Sequence, residues 1–245
     1  MRTYLVTGAT SGIGLSCVEI FSKQGAELIL TGRNLEKLQD VQLKAQQWGA
    51  KKVHIIEVDL SLSTAAKTVR DYIEAVGLEK IDSIVHSAGI ARKENIDDLT
   101  FSSMEEVFKL NVFTPALITK ELLGFLLAAS KPSVVFVSSI AGRLRSLTLG
   151  CHYSSSKAAL IGLTRHLAAE LGPRGVRVNA ICPSQTKTEM LEYALPKAQW
   201  ETFAAQNPLR RLSEPVEQAN VIAFLCSDEA SYMNGSIIDV NGGVL

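Results

Sequence analysis

Four cysteines are few for 245 residues, and Cys17, Cys151, Cys182 and Cys226 stand apart, with no CxxC and no Cys/His cluster. That spacing excludes a zinc-type metal site and a disulfide framework, and it fits a reducing cytosol. Net charge is lacking too: Lys plus Arg and Asp plus Glu both number 25. No global field therefore recruits nucleic acid or an acidic membrane, and pairs such as Arg210-Arg211 read as solvated loop. No apolar run is long enough to span a bilayer. The greasiest stretch, Ala116 to Ala129, carries Lys120 and Glu121 and ends at Lys131-Pro132, so it reads as a buried helix. The beginning, MRTYLVTGAT, turns to Gly and Thr after a very short apolar run and lacks a signal-peptide core. Internal repeats and low-complexity tracts are absent as well. These absences predict a soluble, cytoplasmic protein without a metal.

What is present is ordinary globular composition, 47% apolar and 20% charged, enough for one large α/β domain over residues 1–245. Short β-branched or apolar runs alternate with amphipathic stretches. The runs are Thr3–Val6, Glu27–Leu30, Val53–Val58, Ile81–His86, Ser133–Val137, Val176–Ile181 and Ser236–Val240. Between them lie helical patterns such as Leu35–Trp48 and Ala158–Leu171. Strands separated by helices of ten or more residues mean βαβ units and a parallel sheet covered on both faces. The pattern predicts a single-domain, doubly wound Rossmann fold with a seven-stranded parallel sheet. In such sheets ligands sit at the carboxyl ends of the strands, so those ends are where chemistry is sought.

The first strand ends in a glycine turn, Thr7-Gly8-Ala9-Thr10-Ser11-Gly12-Ile13-Gly14. Glycines there allow a tight turn and let backbone N–H groups approach a pyrophosphate at a helix N-terminus. The spacing is G-x-x-x-G-x-G rather than the common G-x-G-x-x-G, so position rather than pattern carries the reading. At the second strand end, where an acid would bind a ribose 2′-hydroxyl, stands Leu30-Thr31-Gly32-Arg33-Asn34, with no acid and one guanidinium. Arg33 can pair with a 2′-phosphate, which favours NADP(H) over NAD(H). Asp59-Leu60 ends the third strand, where Asp59 could accept an adenine amino hydrogen or cap the next helix. Ser87-Ala88-Gly89 ends the fourth, small enough for adenosine ribose to lie close to the backbone.

The fifth strand ends in Ser138-Ser139. Fourteen residues after Ser139, Tyr153 begins a helix in which Lys157 follows at i+4 on the same face. A phenol near pKa 10 is too weak an acid at neutral pH, and a fixed ammonium nearby should lower it. Tyr153 could then exchange a proton with a carbonyl or alcohol, held in reach by a serine hydroxyl. A second Tyr-x-x-x-Lys, Tyr193 to Lys197, contains Pro196, which interrupts the helix and leaves a surface loop.

Together these residues resemble the short-chain dehydrogenase/reductase family over essentially the whole chain, from TGATSGIG to Val240-Asn241-Gly242-Gly243. The resemblance implies a catalytic tetrad of Asn111, Ser139, Tyr153 and Lys157, with Asn111 supporting a water chain behind Lys157. Ser139 is preferred to Ser138 because Ser139-Ile-Ala-Gly142 reproduces the family's Ser-x-x-Gly phrase. Asn179-Ala-Ile-Cys-Pro183 with Thr186 and Thr188 looks like the family's nicotinamide clamp. Cofactor contacts are accordingly expected at Gly8, Thr10, Ser11, Gly12, Ile13, Gly14, Arg33, Asp59, Leu60, Ser87, Ala88, Gly89, Tyr153, Lys157, Pro183, Thr186 and Thr188. Three departures stand out. The family's Asn-Asn-Ala-Gly is His86-Ser87-Ala88-Gly89, replacing a buttressing amide by smaller groups; its Pro-Gly is Pro183-Ser184; and the serine-to-tyrosine spacing is one residue longer.

The resemblance also implies packing between subunits of the helices around Ala116–Leu127 and Ser154–Leu171, hence a homotetramer or homodimer. The expected activity is hydride transfer between NADP(H) and a small carbonyl or secondary alcohol, a 3-oxoacyl carrier-protein thioester being the generic analogue. An NAD-linked alcohol or sugar dehydrogenase and a nucleotide-sensing protein without turnover are the alternatives. Substrate selectivity is expected in the loops after Ser139, around Arg92–Leu99 and over Glu189–Arg211.

Overall fold

Strands β1 (Thr3–Thr7), β4 (Ser83–His86) and β5 (Ser133–Val137) are buried along their whole length, as their β-branched, almost uncharged sequences require. They form the middle of a seven-stranded sheet with β2 (Glu27–Gly32), β3 (Lys52–Glu57), β6 (Arg177–Pro183) and β7 (Ile237–Val240). The spatial order is β3-β2-β1-β4-β5-β6-β7, and every neighbouring pair is parallel. The computed structural model describes all residues, 1–245.

Parallel neighbours need crossovers, and helices supply them: α1 (Gly12–Lys23), α2 (Leu35–Gln47), α3 (Ala65–Ala75), α4 (Phe101–Phe108), α5 (Thr114–Glu121), α6 (Leu123–Leu127), α7 (Cys151–Leu171), α8 (Glu189–Ala194), α9 (Trp200–Gln206) and α10 (Pro215–Cys226). Side chains alternate between the two sheet faces, which divides the core in two. Leu5, Ile29, Ile84, Val134 and Phe136 meet α3, α5 and α7 on one face. Tyr4, Val6, Leu28, Leu30 and Val135 meet α1, α2 and α10 on the other. Phe136 is fully buried, so Phe136→Ala would cost about 3–5 kcal/mol through lost burial and the cavity left.

The chain leaves β1 toward β2 and β3, then returns past β1 to β4 and onward. Between β1 and β4 the strand order therefore reverses, and the crevice above their carboxyl ends opens there.

All seven expected strands are present, with shifted margins. β4 starts at Ser83 because the Ile81 N–H donates to the Phe125 carbonyl instead of entering the ladder. The expected single helix over Ala116 to Ala129 is two helices, α5 and α6, parted at Leu122, whose backbone (φ −97°, ψ 7°) leaves the helical region. Helix α7 starts two residues before Tyr153, at Cys151. No helix is long and apolar enough to cross a membrane.

Candidate active site

The glycine turn after β1 is built as a cradle. Gly8 (φ +66°) and Gly12 (φ +54°) adopt the left-handed conformation that side chains resist. A Cβ on Gly8 would lie 2.8 Å from the Ala88 Cα, and one on Gly14 would lie 2.2 Å from the Gly8 carbonyl oxygen. Ser11 precedes α1 with extended backbone, and its side chain caps no N–H. The first N–H groups of α1 thus lack an intrahelical or capping partner, as an anion site needs. Gly8, Thr10, Ser11, Gly12 and Ile13 line one continuous cleft of about 1410 Å³ with Ser87, Ala88 and Gly89 from the end of β4. That volume exceeds a typical single-ligand pocket of roughly 300–1,000 Å³, leaving space for a dinucleotide and a second molecule. Gly14 is absent from the lining; its role is the close packing of α1 on the turn.

At the end of β2, Arg33 is exposed, lines the cleft and makes no ion pair. Lys37, one turn into α2, lines the same wall and is likewise unpaired. Sequence reading missed Lys37, although its i+4 spacing from Arg33 was a signal. Asn34 caps α2, accepting from the Lys37 N–H at 2.8 Å. The fit to a dinucleotide is good: a cradle only glycine can form, and two cations, Arg33 and Lys37, that make no ion pair, Arg33 lying close enough to Asp59 to add to the lowering of its carboxyl.

Asp59 departs from expectation. One carboxylate oxygen accepts from both the Ser61 N–H (2.9 Å) and the Ser61 hydroxyl (2.8 Å), and these bonds hold the group below the usual carboxylate range. The cleft is lined by Val58 and Leu60 on either side of it, not by Asp59. It is not a helix cap either, since α3 begins at Ala65. The backbone turn at Asp59 uses the carboxylate locally, which neither expected role anticipated.

Helix α7 brings Tyr153 and Lys157 to the cleft floor, 7% and 4% exposed. The Lys157 ammonium lies 5.6 Å from the Tyr153 ring centre and donates to the Val137 carbonyl at the end of β5 at 2.8 Å. Burial brings Lys157 down from 10.5 to about 8. Burial also raises Tyr153 above its ordinary 10, offset in part by the neighbouring Ser139 hydroxyl. Burial of the phenol thus acts against the lowering expected from Lys157. Besides that, the Tyr153 hydroxyl contacts only the Met190 sulfur, at 3.8 Å.

The two serines at the end of β5 are not equivalent. Ser138 is buried and donates to the Lys157 carbonyl at 2.7 Å, so its hydroxyl is committed. Ser139 accepts from the Ala141 N–H at 3.1 Å and keeps its own O–H free to donate into the cleft. Asn111 sits on a five-residue π-helical turn, Lys109–Phe113, between α4 and α5; such turns recur at functional sites. Its side chain is fully engaged. Oδ1 accepts from the Ile90 N–H (2.8 Å), and Nδ2 donates to the Ile90 carbonyl (2.9 Å) and the Ser156 hydroxyl (3.0 Å). Both amide hydrogens being used, the side chain braces the loop after β4 against α7 and does not itself donate to a water chain.

Comparison with known proteins matches this geometry. The family model for enoyl-(acyl carrier protein) reductase covers residues 8–245. The chain belongs to the short-chain dehydrogenase/reductase family. A 3-oxoacyl-[acyl-carrier-protein] reductase of Aquifex aeolicus is 35% identical over 99% of this chain and 97% of its own. L-sorbose reductase from Gluconobacter frateurii, solved with NADPH and L-sorbose, superposes with a TM-score of 0.92 at 26% identity, covering 100% of this chain and 96% of its own. A Brucella melitensis 3-oxoacyl-[acyl-carrier protein] reductase with bound NAD gives 0.88 at 29%, covering 99% and 90%. Both cofactors thus occur among similar oxidoreductases.

Where this chain leaves the family's phrases, the structure shows the substitutes. His86 is not a smaller group. Its imidazole is fully buried, stacks on Phe136 at 5.0 Å and reaches Thr119 on α5 through Nε2 at 3.0 Å. The Thr119 hydroxyl proton goes to the Pro115 carbonyl, so Nε2 carries the hydrogen and donates. Burial holds His86 at about 3, neutral at physiological pH. On the far side, Thr186 donates to the Ser184 carbonyl and Thr188 to the Thr186 carbonyl. Thr188 also caps α8 and packs against Gly12, closing the segment after β6 over the glycine cradle. Pro183, Thr186 and Thr188 all line the cleft. Buried Asn179 ties the Met233 carbonyl and the Ser236 N–H, a bond to the strand beyond. The second Tyr-x-x-x-Lys does split as expected at Pro196: Lys197 pairs with Glu192 at 2.8 Å. Tyr193, however, is on helix α8 and lines the cleft rather than lying in a surface loop.

Proposed function

We propose that this protein is an NADP(H)-dependent carbonyl reductase in which Tyr153 is the proton donor. The observation that carries the reading is convergence: the Tyr153 phenol, the uncommitted Ser139 hydroxyl and the Lys157 ammonium line the same cleft as the glycine cradle. NADPH, when bound, supplies a hydride equivalent to the carbonyl carbon. Tyr153, kept protonated by burial, gives its hydroxyl proton to the carbonyl oxygen. Ser139 donates a hydrogen bond to that oxygen and so fixes the substrate within reach of the phenol. Lys157, charged below about pH 8, faces the phenolate left behind and stabilises it. Asn111 holds the loop that carries Gly89 and Ile90 against this pair.

Arg33 and Lys37 support NADP(H) over NAD(H): two cations without carboxylate partners at the end of β2 suit a ribose 2′-phosphate. The far part of the cleft is lined by Leu144, Leu147, Leu149, Met190, Leu195 and Phe203. That wall suits the apolar substituents of a ketone such as a 3-oxoacyl thioester, while Arg145, Ser146, Thr148 and Glu189 on the same stretches leave polar partners beside it.

The test is NADPH consumption against ketones, diketones, sugars and 3-oxoacyl thioesters, with wild type beside Tyr153→Phe. The variant should lose about 10²–10⁴ in turnover while its NADPH affinity stays within a few-fold. Equal turnover in the two proteins would remove Tyr153 from the reaction, and preference for polyols would overturn the substrate class.

A further inference from the structure

Ser184 stands where the family phrase has glycine, and it lines a second cavity of about 190 Å³ as well as the main cleft. Seven buried side-chain polar atoms in the chain have no hydrogen-bond partner, and three belong to residues lining this small cavity: Ser184 Oγ, Gln218 Oε1 and Asn241 Nδ2. Gln218 is 1% exposed and Asn241 5%. Their orientations are fixed by their other bonds. Gln218 Nε2 donates to the Val240 carbonyl (3.0 Å), which only accepts, so Oε1 is the end left over. Asn241 Oδ1 accepts from the Gly243 N–H (3.0 Å), so its NH₂ is left over.

The chemistry of the missing partner follows from these atoms. One is a donor, one an acceptor, and the serine hydroxyl serves as either. Each carboxylate of the lining already has a cation: Glu217 pairs with Arg211 in the lining, and Asp239 with Arg143 outside it. A cation or anion would find no net charge to meet. A neutral species that both donates and accepts fits, and the volume is several times the roughly 30 Å³ that one water takes in the liquid.

Gln218 also reaches the cofactor side of the molecule. Its Nε2 donates to the Ser213 hydroxyl at 2.9 Å. The Ser213 backbone in turn holds both flanks of Thr186, accepting from the Lys187 N–H (2.9 Å) and donating to the Gln185 carbonyl (3.0 Å). We propose that this cavity is a bound-water site bridging Ser184, Gln218 and Asn241, and that Gln218, through it and through Ser213, is a positioning residue for the Pro183–Thr188 segment at the nicotinamide end of the cleft. The positioning half rests on the cofactor reading above; the water site does not.

Two measurements decide it. A high-resolution crystal structure of the wild type should show ordered water within hydrogen-bond distance of Gln218 Oε1 and Asn241 Nδ2, and Gln218→Leu should lose it. Binding is then compared for NADPH and for 2′,5′-ADP, which has the adenosine end but no nicotinamide. Gln218→Leu should weaken NADPH about tenfold, the scale of one disrupted buried hydrogen-bond set, and leave 2′,5′-ADP unchanged. Ser184→Ala, which keeps the fold's larger side chains, should show a smaller loss of the same kind. A dry cavity sinks the water site. Unchanged NADPH affinity, or equal weakening of both ligands, sinks the positioning role, since the second result means general loosening. If the wild type binds neither ligand, the cofactor reading falls and the positioning role with it, while the crystallographic water still settles the site.

Discussion

Lys157 places a charged amine in the protein interior, and the cost is open to measurement. A fall from 10.5 to about 8 corresponds to about 3 kcal/mol of unfavourable burial of the charged form. Below pH 8 the amine is protonated in both folded and unfolded chains, so the folded state carries that whole cost. Between about pH 8 and 10.5 the unfolded chain still holds the proton that the folded chain releases, and stability rises with pH by about 1.4 kcal/mol per unit. Above 10.5 both are neutral and the cost is gone. Lys157→Met keeps an unbranched apolar stem and removes the charge, but it strips the Val137 carbonyl of its 2.8 Å donor, a loss of about 1–3 kcal/mol. The variant should therefore match or exceed wild type by up to about 2 kcal/mol near pH 7 and trail it by about 1–3 kcal/mol above pH 10.5.

Urea unfolding of cofactor-free protein, followed by circular dichroism from pH 7 to 10.5, measures this. Both proteins should carry Tyr153→Phe, because a phenol exposed on unfolding ionises near 10 and the folded one would respond to the loss of its neighbour. The quantity of interest is the difference between the two stabilities, in which titrations shared by both proteins cancel. A difference that stays constant across the range would refute the claim that Lys157 is a charge buried at a cost. Meanwhile turnover in the Tyr153-containing Lys157→Met protein should fall sharply, separating a group kept for chemistry from one kept for the fold.

Arg33→Asp should reverse the cofactor preference. Losing a charge-assisted bond and adding a repelling carboxylate should weaken NADPH by about 10- to 100-fold and leave NADH within a few-fold, as read by fluorescence titration; unchanged NADPH affinity would transfer the role to Lys37 or abolish it. His86, held at about 3, stays neutral in the folded chain while the unfolded chain takes up a proton below about 6.5. Stability attributable to it is complete above pH 6.5 and lost as pH falls toward 3, by about 1.4 kcal/mol per unit. His86→Phe, which retains a ring against Phe136, should flatten the urea midpoint between pH 7 and 4.5 relative to wild type, and parallel curves would show that the imidazole is not a neutral core group.

The fold was legible because its signals are periodic. Runs such as Val134-Val135-Phe136-Val137 admit a strand buried on both faces and little else, and the helices between them leave only parallel pairing. The place of Arg33 on the cleft wall was legible because the carboxyl end of β2 lies at the edge of the sheet where the crevice opens. The misreadings lie where a side chain's partner is distant or local in a way spacing does not show. Asp59 looked like a cleft residue, yet Ser61 two positions on claims its carboxylate. His86 looked like a diminished amide, yet Thr119, 33 residues away, gives it a partner and Phe136 a stacking surface. Gln218 gave no signal at all: a polar residue on an otherwise apolar helix face reads as exposed until Val240 and Ser213 are seen around it.

The proton inventory of the site follows from burial. With Tyr153 raised above 10 and Lys157 at about 8, the site at neutral pH holds a phenol and an ammonium, loaded with both protons. In the proposed reduction Tyr153 gives up one of them, leaving a phenolate that burial disfavours. The same burial therefore does two opposed things. It makes the phenol a poor acid at rest, and it strengthens the attraction between the nascent phenolate and the Lys157 ammonium by keeping water from screening it. Ser138 secures the geometry, since its hydroxyl is spent on the Lys157 carbonyl and fixes α7 against the end of β5. Ser139, one residue on and also lining the cleft, is the hydroxyl that the proposed reaction uses to meet a substrate oxygen.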